Sequence, residues 1–272
     1  MKLSQLVTVA AMLGVALATP SAASAASDDN QDGPRFCAGL PDYNQLTTAL
    51  RASVKPSGGP SNGGLDFNMW ASIVGVDGSV CVVTFSGQSF TDQWLGSRVI
   101  SAQKANTAND FSLNAFALST ANLYSAVQPG GSLYGLQHSN PVDAGVAYAG
   151  PAFRFGQFND PLDGQRVGGV NVFGGGLALY NKNKQKIGAL GVSGDTSCAD
   201  HNVAWRVREA LGLGAANVPG GVSGDQKDKI IYDIDAAGHS ASGFGHPTCG
   251  NGEVTVGLAI HAACSPNKAT CP

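Results

Sequence analysis

Residues 69–85 read Met-Trp-Ala-Ser-Ile-Val-Gly-Val-Asp-Gly-Ser-Val-Cys-Val-Val-Thr-Phe. Two apolar, β-branched runs, 69–76 and 79–85, flank Asp77-Gly78. An Asp-Gly pair suits the tight turn of a hairpin because glycine takes positive φ without a steric penalty. The stretch therefore predicts two antiparallel strands.

Upstream, Tyr43, Leu46, Leu50 and Val54 recur at helical spacing within 41–54, and the Pro-, Gly- and Ser-rich 55–64 predicts a loop. Downstream, 91–112 predicts a helix closed by Phe111, whose small face of Ala102, Ala105 and Ala108 permits close packing on a sheet. Segment 128–163 is rich in Gly, Pro, Asn and aromatic residues, predicting a long irregular stretch of a kind that is often functional or faces a partner. Residues 168–180 and 186–192 form a second apolar pair about the polar turn 181–185. Ser197 and Asp200 resemble a capping box, with Ser197 as N-cap, opening a helix that ends near Gly212 or Gly214. Residues 229–234 and 253–259 mix apolar and polar residues as half-buried strands do. Strands, helices and long irregular stretches therefore share the chain.

At the start of the chain, Lys2 precedes an apolar run over 6–17 that is short for a bilayer span, followed by Ala23-Ser24-Ala25 as a small-x-small cleavage pattern. These features predict a signal peptide over 1–25, a flexible acidic lead over 26–39, and a soluble mature chain that is secreted or periplasmic. Lys2 is the one charged residue that cleavage removes, so the net charge moves from −3 to −4. With no block of basic residues, nucleic acid is excluded as a partner. The six cysteines (Cys37, Cys81, Cys198, Cys249, Cys264 and Cys271) are even in number, which in an oxidising compartment predicts three disulfides of open connectivity. No CxxC occurs, which removes covalent haem attachment and weakens a zinc ribbon.

On the helix after Ser197, Val203, Ala204, Val207, Ala210 and Leu211 share one face, and His201, Trp205 and Arg208 share the other. Two readings of that second face stand side by side. It is either a partly solvated face that covers a loop or subunit, or a ligand face for a planar dicarboxylate such as haem. In the latter, imidazole ligates iron, indole stacks and guanidinium holds a propionate. Cys198 with His201 is half of a metal site at most, and a disulfide at Cys198 is the simpler assignment.

Three ordered motifs add to this: Ala102-Gln-Lys-Ala-Asn-Thr-Ala-Asn-Asp-Phe111, Gly168-Gly169 before a strand, and Gly188-Ala-Leu-Gly-Val-Ser-Gly194 followed by Asp200. Together they resemble the pattern of the GlcG/HbpS family of haem-binding, so-called haem-degrading, proteins over roughly residues 40 to 212. The resemblance implies an α+β fold over 40–213, an antiparallel sheet flanked by helices with long irregular insertions; the inserted 112–167 segment and the cysteine-bearing extension over 214–272, expected to pack on the same domain, are additions that the family core does not explain. It also implies homo-oligomeric assembly, binding of haem or a related tetrapyrrole (a corrinoid being the lesser expectation), and a membrane sensor or transporter as a possible partner. Where the family carries Arg-x-Asp-Gly after its first hairpin, this chain has Thr84-Phe85-Ser86-Gly87-Gln88.

His201 and His138, the latter in Leu136-Gln-His-Ser-Asn-Pro141, are the candidate iron ligands, with Trp205 and Arg208 in support. His246, beside Phe244 and Cys249, reads as a packing residue, and His239 and His261 have no chemical neighbours in sequence. Ser193 in Gly-Val-Ser-Gly-Asp departs from the G-x-S-x-G elbow by one residue, so the glycines read better as a tight turn that presents the helix start at 197–200 to an anionic group. The leading function is capture, storage or sensing of haem by an exported binding protein. The alternatives are an enzyme on the same scaffold, for oxidative haem breakdown or another small-molecule conversion, and a partner-binding protein without ligand.

Overall fold

A computed structural model describes residues 35–223 and 227–263. The expected signal peptide, most of the lead, Cys264 and Cys271 lie outside the described residues. Helix α1 (Tyr43–Ser53) opens with a capping box in which the Asp42 carboxylate accepts from the Gln45 amide and the Gln45 side chain accepts from the Asp42 amide. Strands β1 (Trp70–Gly75) and β2 (Val80–Phe85) form the hairpin about Asp77-Gly78, where Gly78 takes φ 81°. Helix α2 (Ser97–Asp110) follows, then two four-residue helices, α3 (Leu136–Ser139) and α4 (Ala144–Ala147), in the irregular segment. Strands β3 (Gly176–Tyr180) and β4 (Lys186–Ser193) lead into α5 (Ser197–Ala210), and α6 (Glu253–Ala263) closes the described chain.

The four strands form one antiparallel sheet in the order β2-β1-β4-β3, with helices on both faces. The pleat sorts the core: Ala71, Ile73, Leu190 and Val192 join Leu46, Leu50, Val203 and Val207 of α1 and α5 on one side. Trp70, Val74, Val83 and Ala189 join Val99, Ala102, Ala105 and Ala108 of α2 on the other. The small face of α2 decides how close that second layer sits. A Cβ on Gly191 would lie 1.9 Å from the Ser101 carbonyl oxygen, and the hydroxyls of Ser72 and Ser101 meet at 2.7 Å. Segment 112–167 packs Leu162, Val167 and Ala147 onto the α2 side, pinned by a buried ion pair in which the Arg98 guanidinium donates to the Asp160 carboxylate, Nε at 2.9 Å.

Disulfides join Cys37 to Cys81 and Cys198 to Cys249, tying the lead to β2 and the later chain to the start of α5. The strands expected at 229–234 and 253–259 are not formed. Residues 229–233 are irregular, with one isolated bridge from Ile234 to Ser240, and 253–263 is helix. The alternation in Glu-Val-Thr-Val misled, because what the fold buries is Glu253, Gly257, Ile260 and His261 with Val256 half-buried, a helical stripe laid on α5.

Candidate functional site

The start of α5 organises the interior. Its N-cap is Thr196 rather than the expected Ser197: the Thr196 hydroxyl accepts from the Ala199 amide at 3.3 Å. Asp200 is a buried anchor rather than a capping acid. One carboxylate oxygen accepts from the Gly194 and Asp195 amides, and the other meets the Lys104 ammonium at 2.6 Å, while Lys104 also donates to the Val192 carbonyl. Burial pulls both groups toward neutrality, Lys104 down and Asp200 up to about 6, against their mutual attraction. The Lys104 and Asp200 positions of the sequence motifs thus hold α2, β4 and α5 together. The amides at 198–200 are likewise engaged by Cys249 Sγ, Thr196 Oγ1 and the Thr196 carbonyl, so they do not present an anion site. Ser193 lies buried in β4, paired with Trp70.

His201, Trp205 and Arg208 are brought together, but not as a solvated or open face: each is no more than 1% exposed. The helix α6 covers them, with His261 edge-on to Trp205 at 4.3 Å between ring centroids and His201 6.3 Å from the same ring. Arg208 is bidentate to Asp228, at 2.5 and 2.8 Å, and lies over the Trp205 ring. Neither ring nitrogen of His201, nor Trp205 Nε1, nor His261 Nε2 has a hydrogen-bond partner among the described residues. Burial pushes His201 down to about 3, Asp228 opposing and Arg208, His246 and Lys104 assisting, and pushes His261 down to about 2. The neutral imidazoles are chemically able to ligate a metal. The enclave has no room for a porphyrin plane, because Trp205, His261 and the Arg208–Asp228 pair already fill it. His138 is exposed on α3 and belongs to neither the enclave nor any cleft among those described.

The largest described opening lies elsewhere. A cleft of ≈ 850 Å³ is bounded by Tyr124, Ser125, Gln128 and 129–132 on one wall, and by Ile234, Gly238, His239, Ser240, Gly243 and Pro247 on the other. Its volume falls within the range of roughly 300–1,000 Å³ usual for small-molecule sites. The second wall is a loop shaped by two carboxylates. Asp233 accepts from the Ser240 hydroxyl and Ser242 amide at 2.7 Å, and Asp235 accepts from the Ala237 and His239 amides at 2.9 Å. Those bonds hold the exposed His239 on the rim, while the half-buried Tyr124 lies tilted against His246 at 5.2 Å between centroids. An imidazole and a phenol facing an open, partly apolar cleft are both competent iron ligands. The residues present therefore fit a haem here in ligand chemistry and in size, although no Lys or Arg lines the cleft to hold a propionate. His239 has no signal in the sequence, since its neighbours across the cleft come from more than a hundred residues away. A second groove of ≈ 480 Å³, between α1 and the end of α5, carries no His, Cys or Tyr.

A family model described as "Haem degrading protein HbpS-like" matches residues 65–209. No curated protein matches the chain. Among solved structures, the protein ORFY of Klebsiella pneumoniae is 25% identical, covers 62% of this chain and 86% of its own, and superposes with a TM-score of 0.41. A PduOC:haem complex is 25% identical over 64% of this chain and 94% of its own, at a TM-score of 0.42. HbpS is 16% identical over 63% of this chain and 89% of its own, at 0.39.

Proposed function

The chain belongs to the HbpS-like family of haem-degrading proteins, and from that premise we propose that it is an exported haem-binding protein that captures or stores the ring in the cleft between Tyr124 and His239. The match over residues 65–209 carries the reading, and the cleft supports it by size and by the rings on its walls. A bound haem would supply an iron open to an imidazole or a phenolate ligand. His239 would provide the first from the rim and Tyr124 the second from the inner wall. Ile234, Pro129 and Pro247 would exclude water from a bound ring, and Ser125, Ser132 and Gln128 would offer it hydrogen bonds. Propionates left without a cation would face solvent. The same reading has the protein assemble with copies of itself, an expectation resting on the resemblance alone.

The test is an absorbance titration of the disulfide-intact mature chain with hemin. A saturable, shifted Soret band establishes binding, and no shift at any ratio in folded protein removes the reading. Breakdown of the ring with a reductant and oxygen would make the protein an enzyme instead.

A further inference from the structure

The cystine at the start of α5 has a third neighbour. Among the described residues, Cys198, His246 and Cys249 form a group of metal-ligating side chains whose donor atoms all lie within 4.8 Å of one another. Cys198 and His246 are buried and Cys249 is half-buried. We propose that the Cys198–Cys249 disulfide is the closed form of a soft-metal site, which on reduction binds a zinc-type divalent ion through both sulfurs and His246.

The step balances simply. A dithiol gives the disulfide two electrons and two protons as it closes to its own disulfide, whereas a phosphine gives two electrons and becomes its oxide, with one water supplying that oxygen and both protons; either route yields two thiols. The incoming ion then displaces both thiol protons as the two metal–sulfur bonds form.

Geometry supports this assignment at each ligand. The Cys198 sulfur stands 3.8 Å from His246 Nδ1. Tetrahedral zinc, with bonds of about 2.3 Å to sulfur and about 2.0 Å to nitrogen, separates those atoms by about 3.6 Å. The two sulfurs must part from bonded contact to about 3.8 Å, a rotamer adjustment that the half-buried Cys249 allows. Both thiolates have support in place. Cys198 sits in the first turn of the 14-residue α5, and its amide points at Cys249 Sγ, 3.3 Å away.

The imidazole is also prepared. His246 Nδ1 now faces the Pro247 carbonyl at 2.6 Å, and Nε2 meets the Ser197 hydroxyl at 2.7 Å. A hydroxyl donates or accepts, so the ring can shift its proton to Nε2, donate to Ser197 Oγ and free Nδ1 for the metal. This is the outer-shell bond that orients a ligating histidine. Three protein ligands leave a fourth position for water. The site does not depend on haem, and none of its three ligands lines the Tyr124–His239 cleft, although Pro247 and Tyr124 of that lining adjoin His246.

The test uses the mature chain carrying Cys264→Ser and Cys271→Ser, reduced with a phosphine under nitrogen and titrated with Co²⁺. The expected result is a saturable thiolate-to-cobalt charge-transfer band with the visible bands of a tetrahedral site, absent from the oxidised protein. Cys198→Ser and Cys249→Ser should each abolish it. Ser197→Ala should keep the band but weaken Co²⁺ binding by about 10–100-fold, an effect that a purely structural hydroxyl would not have. Absence of the band in reduced protein that retains its helical circular dichroism overturns the proposal. So does a band that survives Cys198→Ser, or a reduced chain that unfolds and is not refolded by Co²⁺.

Discussion

Lys104 and Asp200 meet at 2.6 Å with both side chains almost wholly buried, one from α2 and one from α5, on opposite faces of the sheet. Their link passes the end of β4, whose Val192 carbonyl also accepts from Lys104. Removing one partner strands the other charge in the interior, so Lys104→Met should cost about 3–5 kcal/mol. The double variant Lys104→Met, Asp200→Leu should cost less than the sum of the single changes. Urea unfolding of the four proteins measures the coupling, and strict additivity would show that the pair contributes nothing of its own.

The contact between α2 and β4 has no room for a methyl group. Gly191→Ala places a Cβ 1.9 Å from the Ser101 carbonyl and 2.6 Å from the Ala105 nitrogen, both backbone atoms. The expected loss is at least about 1–3 kcal/mol. Gly96→Ala is the control, since φ there is −60° and nothing lies within 4 Å. It should be neutral or slightly stabilising in the same thermal melts.

Acid should weaken the α5–α6 enclave. His201 faces Arg208, Asp228, His246, Lys104 and Trp205, and His261 faces His201, Lys229, Arg208 and Trp205. Both are held below the ordinary value of 6.5, to about 3 and about 2. Between those values and 6.5 the unfolded chain binds more protons. Stability is therefore full above about pH 6.5 and falls as pH drops toward 3, by about 1.4 kcal/mol per pH unit for each histidine. Asp200, raised to about 6 by burial, and Asp163, raised to about 8 by burial and by Asp160, act in the opposite direction and lose stability as pH rises. Comparison with His201→Gln isolates one histidine: between pH 6 and 4 its stability slope should be shallower by about 1.4 kcal/mol per pH unit. Identical slopes would mean that His201 is protonated in the fold.

Hemin binding should distinguish the cleft from the enclave. His239→Ala or Tyr124→Phe should weaken it at least about tenfold, about 1.4 kcal/mol, whereas His138→Ala should leave it unchanged. Loss of the Soret shift in His201→Ala alone, with the fold intact by circular dichroism, would instead place the ring under α6.

Much of the architecture is written locally. The Asp77-Gly78 turn, the capping box at Asp42 and Gln45, and the alanine face of α2 each act within a few residues, and each forms as their chemistry dictates. What the sequence hides comes from distant partners. Arg208 reads as a free guanidinium until Asp228 arrives from a loop. Trp205 reads as a surface indole until α6, whose Glu-Val-Thr-Val start mimics a strand, covers it. The family motif residues stand out because the fold needs them, which is why they point to Lys104 and Asp200 and not to the walls of the cleft. Those walls are two loops whose closeness no spacing rule encodes.

The order β2-β1-β4-β3 joins two hairpins through their first and last strands, pairing Trp70 with Ser193. Each hairpin closes on its own, while the seam between them waits for the whole intervening chain to be gathered, so this pairing should govern the folding rate. Closure entropy grows only with the logarithm of loop length, about 0.6 kcal/mol for each doubling. The long segment between β2 and β3 therefore slows the approach of the halves far more than it weakens the finished sheet, and a shared core can acquire such an excursion at little thermodynamic cost.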